Sequence, residues 1–185
     1  MAAIRTVTYT HELFTPDGYF VDWNSNHIFP YFDPAMGRLI SVYFSATLNA
    51  TLYGEAENRA LAPVPNAWMT VDTDMYVEML NGQHLPLEVM LRVPKTGTVS
   101  VGAFDGTWDF EGSSAFNGTD ANDTWDDVYY VNAADINDYV GIGTFNLPAV
   151  TSAISQVHGG GSWYSNITTL AWSNATITYT YEDSD

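Results

Sequence analysis

The chain has 185 residues, 22 of them acidic and only five basic, and its formal net charge is −17. Hydrophobic residues make up 46 % and aromatics 15 %, which excludes a wholly disordered chain. Absent cysteine excludes disulfides, thiolate metal sites and cysteine nucleophiles. Arg5, Arg38, Arg59, Arg92 and Lys95 are too few and too scattered to hold a nucleic acid or an anionic membrane surface. In chain order, residues 4–11 alternate and read as a strand-like arm, while residues 12–37 show no clean period and are rich in aromatics. Residues 39–57 alternate Ile40, Val42, Phe44, Ala46, Leu48, Ala50, Leu52, Gly54 and Ala56 with mostly polar positions, the signature of a strand with one face on a core. So long a run is expected to bend or bulge midway.

Met69, Val71, Thr73, Met75, Val77 and Met79 mark the next strand, with Asp72, Asp74 and Glu78 outside. Asn81-Gly82 is a hairpin signal, and Leu87, Val89, Leu91 and Val93 return. Pro94-Lys95-Thr96-Gly97 is a further turn. Short strands follow at 98–103, 107–110 and 128–131, with 113–127 polar and loop-like between them. Residues 132–139 offer one short helical turn, with Asn132 as its cap. Residues 143–152 and the alternating Ala175, Ile177, Tyr179 and Tyr181 complete the set. The expected fold is all-β, a single antiparallel β-sandwich over residues 1–185 of jelly-roll or Ig-like type, with about 8–10 strands.

Four segments together resemble one family. Residues 28–39, with Phe29-Pro30-Tyr31-Phe32-Asp33-Pro34-Ala35-Met36-Gly37-Arg38-Leu39, resemble the pQFDPslGtL signature of the choice-of-anchor E domain. Thr107-Trp108-Asp109-Phe110-Glu111-Gly112 resembles its DFsG segment, residues 134–144 its dLaaftGtGt segment, and residues 175–181 its final vtVtYtY strand. The resemblance runs from Ile4 to Tyr181 and implies a secreted bacterial β-rich domain, without catalytic residues to carry over. Such domains often continue into a Pro-Glu-Pro type sorting tail, whereas this sequence stops at Asp185. No apolar run approaches the ~20 residues of a membrane span. Met1-Ala2-Ala3-Ile4-Arg5 lacks the apolar region of a signal peptide, so the numbering is read as starting at a processed end. Abundant Thr, Asn, Gly and Tyr beside scarce Lys point to an extracellular or cell-surface location.

No catalytic pattern stands out. His11, His27, His84 and His158 lack zinc-protease spacing, and Gly159-Gly160-Gly161-Ser162 has no strand-to-helix context for a phosphate loop. The chain is therefore expected not to be an enzyme. Asp120, Asn122, Asp123, Asp126 and Asp127 are the calcium candidates, because calcium takes six to eight oxygens. Asn-x-Thr sequons at Asn49, Asn117, Asn122, Asn166 and Asn174 exceed the chance number and are candidate N-glycan sites. Trp23, Trp68, Trp108, Trp125, Trp163 and Trp172 are candidate sugar platforms or core and interface residues.

The expected function is a structural subunit of an extracellular filament or surface assembly, with the chain itself as partner. Assembly is expected to run through the arm at residues 1–11, by strand exchange or β-augmentation, with Ile4, Thr6, Val7, Tyr9 and His11 as the contact strand. The alternative is a monomeric secreted module that binds carbohydrate or matrix polysaccharide.

Overall fold

The computed structural model describes residues 2–13 and 21–183; the side chains of residues 121–124 lie outside that description. Nine strands run in the order β1 (Ile4–Leu13), β2 (Asn24–Pro30), β3 (Gly37–Asn58), β4 (Val64–Glu78), β5 (His84–Val93), β6 (Val99–Val101), β7 (Ala115–Tyr130), β8 (Thr144–His158) and β9 (Trp163–Asp183). They form two antiparallel sheets, β1-β9-β3-β7 and β2-β8-β4-β5, with β6 added beside β4. Apart from the β4–β5 hairpin and the short β6 detour, successive strands change sheet, which is the jelly-roll arrangement rather than the Ig-like one.

Alternation builds the core. On the first sheet Val42, Phe44, Leu48 and Leu52 of β3 and Ile177 and Tyr179 of β9 point inward; Met69, Val71, Leu87, Leu91 and Leu147 answer from the second, and all are buried. Small pairs keep the sheets close: Gly54 lies opposite Gly118 in register. A Cβ on Gly54 would meet Met69 Sδ at 2.1 Å, and one on Gly118 would meet Val93 Cγ1 at 2.5 Å.

Several expectations change. Residues 113–127 are not a loop: 115–130 form β7, paired with β3 over its length. The stretch is polar because one face meets solvent, and the backbone ladder holds it regardless of side chain. Residues 107–110 are not a strand; Asp105 Oδ1 accepts from Thr107 N at 3.0 Å and Asp109 Oδ1 from Glu111 N at 2.9 Å, so the segment is a pair of Asx turns. The aperiodic 12–37 stretch contains β2 and a 3-10 turn at Pro34–Met36, while residues 14–20 lie outside the described residues. The long β3 strand is irregular as expected, with register shifts at Leu39/Ser41 and Ala50/Thr51. The first shift turns Ile40 outward, to 37 % exposure, and Leu39 packs on the core in its place. The helical turn sits at Ile136–Tyr139, but its cap position is Asp135 rather than Asn132.

Three of the four segments that carry the resemblance meet in space, while residues 109–112 lie apart, with Phe110 against Glu57 and Tyr164. Phe32 N donates to Tyr139 O at 2.9 Å and Gly141 N to Phe32 O at 3.0 Å, so the Phe32-Asp33-Pro34 and 134–144 segments bond to each other. Asp33 Oδ1 caps Ala35 N at 2.8 Å. Gly37, at φ 138°, must be glycine, because a Cβ would lie 2.0 Å from Glu182 O. These motif residues therefore build the framework rather than a cleft.

Candidate functional site

The expected contact element is the arm of residues 1–11, of which Met1 lies outside the described residues. In the single chain β1 pairs with β9 of its own molecule over all ten residues, Ile4↔Glu182 through Leu13↔Ser173. Val7, Tyr9 and Leu13 turn inward and pack on the core, whereas Ile4, Thr6, Thr8, Thr10 and Glu12 are exposed. Thr8 and Thr178 hydroxyls meet at 3.0 Å, and Thr10 and Thr176 at 3.1 Å. At the strand's start Ala3 N and Arg5 Nε both donate to the Asp183 carboxylate. The Ala3 amide first, then Arg5, holds Asp183 below the usual carboxylate range.

β1 is the terminal strand of its sheet, so its far edge carries no neighbouring strand among the described residues. Which groups face that edge follows from the register. Asp183 N donates to Ala3 O, making Ala3↔Asp183 a hydrogen-bonded pair. Antiparallel pairs alternate, so odd-numbered residues of β1 bond β9, while Ile4, Thr6, Thr8, Thr10 and Glu12 aim their N–H and C=O outward. Within the strand there is no proline, lysine or bulge, and its two charged side chains, Glu12 and the Arg5 that pairs with Asp183, lie near its ends.

The other flank of the sandwich is guarded. Asp120 of β7, 5 % exposed, reaches across to β5: its Oδ2 accepts from Arg92 N at 3.0 Å, and Oδ1 pairs with Lys95 Nζ at 3.2 Å. A carboxylate pointed inward at an edge amide blocks strand addition there. That use also separates the calcium candidates. Asp126 turns to the opposite face, where Thr47 Oγ1 donates to it, and Asp127 accepts from Val128 N at 2.7 Å. The side chains of Asn122 and Asp123 lie outside the described residues. Among the described residues no three His, Asp or Glu side chains are grouped as metal ligands, and no helix is long and apolar enough to cross a membrane.

Sequence reasoning missed the corner where β1 meets β2. His11 Nδ1 lies 3.4 Å from His27 Nδ1, and His27 Nε2 lies 3.0 Å from Ser173 Oγ. His27 is fully buried, stacked on Phe29 at 6.2 Å, and its pKa falls to about 4, chiefly through burial and then through the neighbouring His11. Only β2, hidden in an aperiodic stretch, could have revealed the pair. Missed too was Glu57, 1 % exposed, which accepts from Phe110 N and Ser114 Oγ, each at 3.3 Å. It pins a loop in which Phe110 takes φ 57°, an uncommon backbone for a bulky residue.

Of the sequons, Asn117 and Asn166 are exposed beside one trough, where Asn166 Nδ2 donates to Glu55 Oε1 at 2.9 Å. Asn49 lies between Thr124 and Trp172 in register and is half-buried. Asn174 Oδ1 is buried, and the Asn122 side chain lies outside the described residues. The six tryptophans do not share a face. Trp23 bonds Ala171 O, Trp68 stacks on His158 at 4.8 Å, and Trp163 bonds Gly160 O. Trp172 is half-buried on the outer face of β9. Trp108 stands exposed beside Tyr164 and Arg59, and Trp125 is exposed on β7.

No protein-family model matches the chain, and no curated protein does either. Among solved structures it matches a chain of the infectious bursal disease virus T13 particle at 14 % identity and TM-score 0.20, covering 98 % of this chain and 36 % of that one. It thus spans about a third of that chain's length. A chain of Mud crab tombus-like virus matches at 8 % identity and TM-score 0.28, covering 100 % of this chain and 84 % of that one. A Turnip Yellow Mosaic Virus chain matches at 5 % and TM-score 0.22, covering 99 % and 84 %. Likeness at this level transfers no function.

Proposed function

We propose that this chain is a structural subunit of an extracellular assembly, that it is not an enzyme, and that copies join through β1. The observation that carries the reading is the edge of β1, without proline, lysine or bulge and uncharged between Arg5 and His11, set against the plugged edge of β5. Copies join either by adding a strand to that edge or by exchanging β1, since a β9 that ladders with its own β1 accepts an identical one in the same register. An extracellular setting is supported by the motif resemblance to the choice-of-anchor E domain and by the composition. If N-glycans are carried, Asn117 and Asn166 are the accessible acceptors, and glycosidase digestion followed by intact mass would count them.

Subunits of charge −17 repel one another, so assembly should be slow at low ionic strength and faster near a Debye length of ~8 Å. Two variants separate the two modes of joining. Thr8→Pro removes an outward N–H while leaving the β9 ladder intact, and should abolish strand addition without unfolding the monomer. A Thr8→Cys/Thr178→Cys disulfide joins a non-hydrogen-bonded pair, where side chains are nearest, and should abolish exchange only. Light scattering and negative-stain microscopy read the polymer, with circular dichroism checking the fold. Loss of polymer in either variant supports β1. A wild-type chain that stays monomeric, or polymers from both variants alike, would overturn the proposal.

The polysaccharide-binding reading has one specific support, the exposed Trp108 with Tyr164 at 5.3 Å. Retention on matrix polysaccharides that is lost in Trp108→Ala would favour it.

A further inference from the structure

A groove of about 390 Å³ opens where β7 overhangs the outer face of the β4–β5 hairpin. Its two aromatic walls are Trp125 of β7, 53 % exposed, and Tyr76 of β4, 37 % exposed. Tyr76 is braced from behind by the His84 ring, stacked at 4.6 Å and 20°. Asp74, Glu88 and Asp127 line the same groove, and no basic residue does. Asp74 and Glu88 sit directly opposite each other across β4 and β5. Like charges facing one another on neighbouring strands destabilise a sheet, and neither carboxylate has an ion-pair partner among the described residues.

We infer that this groove binds a small organic cation, an alkylated ammonium on an apolar body, held between Trp125 and Tyr76 with its charge shared by Asp74, Glu88 and Asp127. Three observations select that occupant. The carboxylates are not grouped as metal ligands, which disfavours a hard divalent ion that needs convergent oxygens. Aromatic faces attract cations through the ring quadrupole, and quaternary ammonium groups suit such walls. A neutral sugar could stack on Trp125 but would leave the Asp74–Glu88 repulsion unrelieved. The chain's overall −17 adds a long-range pull on cations at low salt. The inference stands whether or not the chain polymerises.

Calorimetric titration of the full chain with benzyltrimethylammonium tests it, with benzyl alcohol, N-acetylglucosamine and calcium chloride as comparison ligands. The ammonium should saturate one site, benzyl alcohol and the sugar should bind at least about tenfold more weakly, and calcium should not displace the ammonium. Trp125→Ala and the pair Asp74→Asn/Glu88→Gln should each weaken binding about tenfold. All three side chains are exposed, so these variants should stay folded, and the carboxylate pair variant should melt higher than wild type. Trp68→Ala, elsewhere on that sheet, should bind as wild type does. Equal binding of benzyl alcohol, tighter binding of the sugar, displacement by calcium, or an unchanged affinity in the carboxylate pair variant would each overturn the assignment.

Discussion

Lowering the pH from 7 to 4 should remove about 3 kcal/mol of stability through His27 alone. In the unfolded chain this imidazole takes up a proton near pH 6.5, while in the fold burial and His11 hold it neutral until about pH 4. Its contribution is therefore complete above pH 6.5, declines as the pH falls towards 4, and levels off below. The 22 carboxylates titrate over part of the same range, so the comparison must be differential. Urea unfolding of wild type and His27→Gln at several pH values isolates the term. The variant should be less stable at pH 7, having lost its contact with Ser173, but should decline less steeply between pH 6.5 and 4. Parallel pH profiles would show that His27 does not titrate differently in the two states. Because His11 lies on β1 and His27 on β2, acid strain falls on the corner that holds the arm in place.

Tyr179→Ala should cost about 3–5 kcal/mol, lowering the melting temperature by on the order of 10 °C for a domain of this size. The ring is fully buried on β9, edge-on to Tyr9 at 6.3 Å and tilted on Phe32 at 5.8 Å. Its hydroxyl donates to Pro30 O at 2.8 Å, which ties one sheet to the end of β2 in the other. Removing it opens a cavity under β1 and beside the Phe32 segment together. Tyr179→Phe keeps the ring and loses the bond, so it should cost only about 1 kcal/mol. Equal thermal melts for the two variants would show that the ring contributes little beyond its hydroxyl.

Much of the sandwich could be read from residue order because alternation is a local property. The inward rows Val42–Leu52 and Met69–Val77 are buried as their spacing predicts, and Asn81-Gly82 closes its hairpin. Its chemistry differs in detail: Gly82, at φ 77°, bonds back to Met79 O, so a single left-handed glycine closes the turn. The candidate site was legible only as a strand. That β1 lies at a sheet end depends on β9, whose partner residues run from Ser173 opposite Leu13 to Glu182 opposite Ile4, at the far end of the chain. By its place in the sequence Asp120 groups with its acidic neighbours as an oxygen cluster. The β7 register instead buries it against Arg92 N and sends Asp126 to the other face.

By itself the sequence determined a two-faced, turn-punctuated β-chain with a strongly anionic surface and without thiol chemistry, since composition and period act residue by residue. Only the tertiary structure decided that a polar stretch becomes β7, that one histidine of four is sealed in the core, and that one flank is plugged while β1 stays open. Those outcomes depend on which distant strands share a ladder. Backbone pairing is nearly indifferent to side-chain identity, so order along the chain does not encode it locally.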